Sequence, residues 1–89
     1  MTTQAKYAAE GHAELDEAIS IDPSLEKRFD KLCYDQRHWI ALSIEANCCQ
    51  YLNDVHAGKT PDFESEEDCI IASAEASYQD VISNTDWQY

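Results

Sequence analysis

The reading of the fold turns on residues 22–58, DPSLEKRFDKLCYDQRHWIALSIEANCCQYLNDVHAG. After Pro23 the chain meets neither Gly nor Pro until Gly58. Asp22 is suited to cap a helix whose first position holds Pro23, where a missing N–H costs nothing. Gly58 is suited to end it in the left-handed conformation. The interval is about 35 residues, or roughly 52 Å of helix. Leu25, Phe29 and Leu32 lead into Ile40, Ile44, Cys48, Tyr51 and Val55 as one apolar stripe. Leu42, Cys49 and Leu52 form a second set on another face, and Trp39 adds a third side. The rear half is therefore apolar nearly all round, a pattern that asks for burial on several sides.

A shorter helix is predicted on each flank. Before it, Ala8, Gly11, Leu15, Ala18 and Ile19 recur at helical spacing, predicting a helix from about Thr3 to Ser20. After it, Ser65-x-x-Asp68 is a capping signature for a helix reaching about Asn84, with Ile71, Ala74, Tyr78, Val81 and Ile82 as its core stripe. The fold class is thus all-α: a small bundle of three principal helices with a long central one, or four if the central helix breaks. The outer helices are too short to cover the central one. Either it breaks near Tyr34–Arg37 or a second subunit covers the gap. With no Gly or Pro there, the reading favours an unbroken helix and a homodimer through Trp39, Leu42, Cys49 and Leu52.

Composition limits the class. The chain is a single acidic domain, 1–89, with 44% hydrophobic residues, an ordinary fraction for a globular protein. Six basic and 18 acidic side chains give a net charge of −12, which excludes a simple nucleic-acid or anionic-membrane binder. No apolar leader follows Met1, and no apolar run is long enough to span a bilayer. A cytoplasmic location is expected, in an ordinary cell or a virus-infected one, with the four cysteines reduced.

Few residues propose chemistry. Cys33, Cys48, Cys49 and Cys69 show no C-x-x-C spacing, and His12, His38 and His56 no paired spacing, so zinc is not expected. Cys49 and His56 are the least poor ligand pair. Asp35-x-x-His38 has the di-iron spacing, but it occurs once where such sites need it twice. No glycine-rich phosphate loop or oxyanion nest is present. The expectation is no enzyme, no metal and no cofactor.

The carboxylates remain. Charge is −3 before residue 22, −2 over residues 22–58 and −7 from residue 59 onward, so it is segregated to the outer helices. Glu66, Glu67 and Asp68 suit the first turn of a helix, where acids oppose the dipole favourably. Asp62, Glu64, Glu75 and Asp80 have no such reason. Glu10, Glu14 and Glu17, with Asp16 beside them, form a like-charged row on the first predicted helix, a spacing that is mildly destabilising. These eleven residues are the candidate partner-binding surface. The function expected from them is that of a small interaction or inhibitor protein. It would block the positive surface of a nucleic-acid-binding protein or complex, as DNA mimics, phage anti-defence proteins, immunity proteins and antitoxins do. One alternative is a structural or adaptor subunit binding through the apolar helix face with Trp87 and Tyr89. A helical metal or redox protein is the second.

Overall fold

A computed structural model describes residues 7–83. The described residues form an all-α bundle: a short 3₁₀ turn at Ala8–Glu10, then α1 (Ala13–Ile21), α2 (Leu25–Asp30), α3 (Tyr34–His56) and α4 (Glu66–Ser83). The expected start of the first helix at Thr3, the expected end of the last helix at Asn84, and Trp87 and Tyr89 lie outside the described residues. None of the described helices is long and apolar enough to cross a membrane.

The central helix is not continuous. The expectation of an unbroken helix fails at Lys31–Cys33, just ahead of Tyr34–Arg37, and the four-helix alternative holds. Cys33 is extended, at φ −83° and ψ 171°. Its N–H donates to Gln36 Oε1 at 3.0 Å, which is the Gln half of a capping box. Arg37 donates from Nη1 to the carbonyl of Leu32, a group that the break would otherwise leave unpaired. Polar groups supplied from the next turn therefore stop the helix without any Gly or Pro. Once broken, the chain folds Leu25, Phe29 and Leu32 onto Ile40, Ala41 and Ile44 in one core.

The first predicted helix is also divided. Gly11 sits at φ +86°, where a side chain would be strained. Its N–H returns to the Ala8 carbonyl at 2.9 Å and closes the 3₁₀ turn. Only after this corner does α1 begin, burying Leu15 and Ala18. The corner folds Tyr7 inward, so its ring meets Phe29 edge-on with centroids 6.2 Å apart. The Tyr7 hydroxyl donates to Asp30. Burial first, and then this bond, raise its pKa.

The other junctions follow the local chemistry more closely. Asp22 Oδ1 accepts from the N–H and hydroxyl of Ser24, at 3.2 and 2.7 Å. Asp22 therefore organises the turn, though α2 itself starts only at Leu25. Gly58, at φ +77°, ends α3 in a Schellman motif: its N–H bonds the Val55 carbonyl at 3.1 Å, and Lys59 N–H bonds Asp54 at 2.9 Å. Ser65 Oγ accepts from Asp68 N–H at 3.2 Å, the expected cap of α4.

α3 and α4 make the most extensive helix contact, with α1 packed across both. Ile70, Ala74 and Val81 of α4 are in the core, with Cys69, Ser73 and Ser77 buried beside them. Ala74 and Val81 of the expected α4 stripe are core, but Ile71 and Tyr78 are only half-buried and Ile82 is exposed, their places taken by Ile70, Ser77 and Cys69. Ser73 and Ser77 can be buried there because their hydroxyls are hydrogen-bonded. Ser77 Oγ donates to the Ser73 carbonyl at 2.6 Å, and Asn47 Nδ2 donates to Ser73 Oγ at 2.9 Å. The rear of α3 is less covered than its composition asks. Beyond Ile44 no α3 residue is fully buried; Cys48 and Tyr51 are half-buried, and Val55, read as a core position, is exposed.

Candidate functional site

The structure separates the eleven candidate carboxylates into two groups. Two are spent inside the molecule. Asp16 turns back onto the 3₁₀ segment and accepts the N–H groups of Tyr7, at 3.0 and 3.1 Å, and of Ala8, at 2.9 Å. It neutralises a helical N-terminus, so its place in a partner-binding row is corrected. Glu10 is also corrected, because Gly11 takes it off the axis of α1. Its two oxygens receive Arg37 Nε at 3.1 Å and Nη2 at 2.9 Å, a bidentate fork. Hydrogen bonding from Arg37 holds the Glu10 carboxyl below the usual glutamate range. The row Glu10, Glu14 and Glu17 therefore does not exist as a row.

The second group faces outward. Glu17 on α1, Asp62 and Glu64 in the loop, and Glu66, Glu67, Asp68, Glu75 and Asp80 on α4 are exposed; Glu14 is half-buried. Among the described residues none of these makes an ion pair. α1 and α4 pack together, and Glu66 and Glu17 both lie near Cys48. Cys48, on α3, is pushed up to about 12 by burial first, then by the Cys69 thiol that hydrogen-bonds it, then by Glu66 and Glu17. Glu66 at the start of α4 and Glu17 on α1 thus bring two carboxylates near the same thiol. At the far end of α3, Asp54 and Asp62 line a shallow pocket of about 80 Å³ with Asn47, Gln50, Tyr51 and Phe63.

Folding assembles a further cluster that no local spacing signals. His12, one residue past the Gly11 corner, is 1% exposed. Its Nδ1 lies 3.1 Å from Glu10 Oε1 and its Nε2 lies 3.2 Å from His38 Nδ1. Tyr34 stacks on His38 with planes 9° apart, and its ring centroid is 4.8 Å from that of His12. A nitrogen-to-nitrogen hydrogen bond needs one donor and one acceptor, so at least one of the two imidazoles is neutral when it forms. Arg37 closes the cluster, with its guanidinium 5.4 Å over the Tyr7 ring. The arrangement fastens the 3₁₀ turn to the start of α3. His12 and His38 are 26 residues apart, so no local spacing signals the pair.

Among the described residues no three His, Cys, Asp or Glu side chains gather closely enough to hold a metal ion. Neither the pair Cys49 and His56 nor the motif Asp35-x-x-His38 belongs to such a group among the described residues. The four residues expected at a subunit interface are all exposed: Trp39 at 47%, Leu42 at 47%, Leu52 at 40%, and Cys49. No protein-family model, no curated protein and no solved structure matches this chain.

Proposed function

We propose that the protein is an acidic interaction module that docks its α1–α4 face against a basic, nucleic-acid-binding surface of a partner protein and so occludes it. The observation that carries this reading is the outward set of carboxylates that pair with no cation among the described residues, drawn from two packed helices and the loop before α4. The fold spends acids internally where it needs them, at Asp16 and Glu10, and leaves these others exposed. A face built only for solubility is as well served by mixed signs. A field of one sign raises association rates toward an opposite surface and suppresses wrong partners. Exposed pairs contribute only about 0.2–1 kcal/mol each, so recognition rests on the summed field rather than on any one acid.

The test replaces Glu17, Glu66, Glu67 and Glu75 together by Lys. Parent and variant are immobilised and exposed to nuclease-treated cytoplasmic extract, with duplex DNA as competitor. The parent is expected to retain a basic nucleic-acid-binding protein that DNA and salt both displace, and the variant to lose it. Equal capture by the variant, or capture by the parent that survives high salt, refutes the reading.

A further inference from the structure

The exposed side of α3 carries a seam that the acidic face does not use. His38, Leu42, Glu45, Cys49, Leu52 and His56 are all exposed. Their spacing alternates between four and three residues, that of a coiled-coil seam. The order of side chains is nearly palindromic about Asn47. His38 and His56 stand nine residues either side of it, Leu42 and Leu52 five, and Glu45 and Cys49 two. Trp39 and Val55, both 47% exposed, flank the seam eight residues either side of the same centre. Asn47 itself is turned the other way, bonded to Ser73 of α4.

A sequence with this symmetry matches itself when a second copy lies antiparallel. A two-fold interface is isologous: residue i meets j, and j meets i. We infer that two copies of this chain pack α3 against α3, antiparallel, about a two-fold axis beside Asn47. Leu42 then meets Leu52 of the second copy, in two symmetric layers. His38 meets His56, and Glu45 meets Cys49 in the polar middle. Lys59, just past the end of α3, falls level with Asp35 of the other copy, twelve residues either side of the centre. The six seam positions span about 27 Å of helix.

Charge favours a second copy over a basic or acidic stranger. In a chain of net charge −12, the seam holds a single carboxylate, Glu45, and no Lys or Arg. The exposed acids of α1 and α4 belong to other helices. Glu45 fixes the register, because sliding the helices by one layer sets its carboxylate opposite Leu52 in one direction and opposite the Glu45 carboxylate of the second copy in the other. Mutual repulsion of two acidic chains opposes the contact, so the dimer is weak at low salt and tightens as salt screens it. The opposite salt response separates this surface from the charge-driven docking proposed above, and neither proposal depends on the other.

Sedimentation equilibrium over roughly 10–500 μM reads the dimer directly, because its population follows mass action. The parent is expected to dimerise within this range, more tightly at high salt. Leu42→Asp is expected to weaken the dimer at least tenfold while leaving helical circular dichroism unchanged, since Leu42 is exposed in the single chain. Orientation is read by cross-linking in a Cys33→Ser, Cys49→Ser background with oxidised glutathione. Thiol–disulfide exchange there joins two protein thiols and reduces the glutathione disulfide to two glutathione thiols. A mixture of the Leu42→Cys and Leu52→Cys chains is expected to give the mixed disulfide far faster than either chain alone. A monomer throughout the range, a Leu42→Asp dimer as tight as the parent, or preferential self-linking of Leu42→Cys overturns the inference.

Discussion

Replacing Arg37 by Met should loosen three parts of the fold at once. The guanidinium holds both oxygens of Glu10, donates to the Leu32 carbonyl at the α2–α3 break, and lies over the Tyr7 ring. Met keeps the aliphatic stem and removes all three polar contacts. Arg37 is 14% exposed and Glu10 31%, so the pair is shielded but not dry. A charge-assisted hydrogen bond contributes about 1.5–3 kcal/mol, and an orphaned carbonyl costs a further ~1 kcal/mol or more. The cation–π contact adds roughly 0.5–1 kcal/mol. These terms overlap because one group makes all the contacts, and water reaches Glu10. The expected loss is therefore about 2–3 kcal/mol, below the simple total. In a domain of this size that lowers Tm by roughly 10–20 °C. Urea denaturation followed at 222 nm measures it, and a double-mutant cycle with Glu10→Gln isolates the pair, with an expected coupling of about 1 kcal/mol. Arg37→Lys should recover only part, since one ammonium cannot span Glu10 and Leu32 as the planar fork does. A loss below about 0.5 kcal/mol, within the range of ordinary surface changes, would refute the view that this side chain fastens the corner.

Acid should act through the same pair. Because the folded-state pKa of Glu10 is depressed, the stability it contributes is present above its ordinary value of 4.5 and is lost as pH falls below that value through the folded one. In Glu10→Gln this contribution should be missing from the stability–pH curve, as urea titrations between neutral and acid pH will show. The thiols should divide by exposure: with dilute protein at about pH 8, Cys33 and Cys49 should be modified promptly by a maleimide. Cys48, pushed up to about 12, and the buried Cys69 should react only on unfolding; four equally fast thiols would contradict the packing of α3 on α4.

Helix identity was legible from patterns local to a few turns. Gly58 ended α3 as read, Ser65 capped α4 as read, and Leu25, Phe29, Ile40 and Ile44 are all core. What escaped the reading lay where a polar side chain from elsewhere decides the backbone. Cys33 is an unusual capping residue, and its break draws on Gln36 and on Arg37. Gly11 looked like one more small residue on a helical stripe, yet its left-handed corner is secured by Asp16, five positions on. The same cause misplaced two of the eleven candidate carboxylates. Glu10 and Asp16 read as outward charge because their partners, Arg37 and the backbone of Tyr7, are set by tertiary structure. Glu66, Glu67 and Asp68 fall in the first turn of α4 as read, because helix-start chemistry is local.

The dominance of the α3–α4 contact has a kinetic consequence. These helices are consecutive and joined by a short loop, so their pairing closes little chain. α1 must find α4 across more than forty intervening residues, a costlier closure that gains most once the hairpin exists. The molecule should therefore assemble from its C-terminal half toward its N-terminal half, and open in reverse. Amide protons of Ile44 and Ala74 should exchange only through global unfolding. Those of the 3₁₀ turn should exchange through a smaller excursion that lifts Tyr7 and His12 off α2 and α3 while the hairpin stays closed.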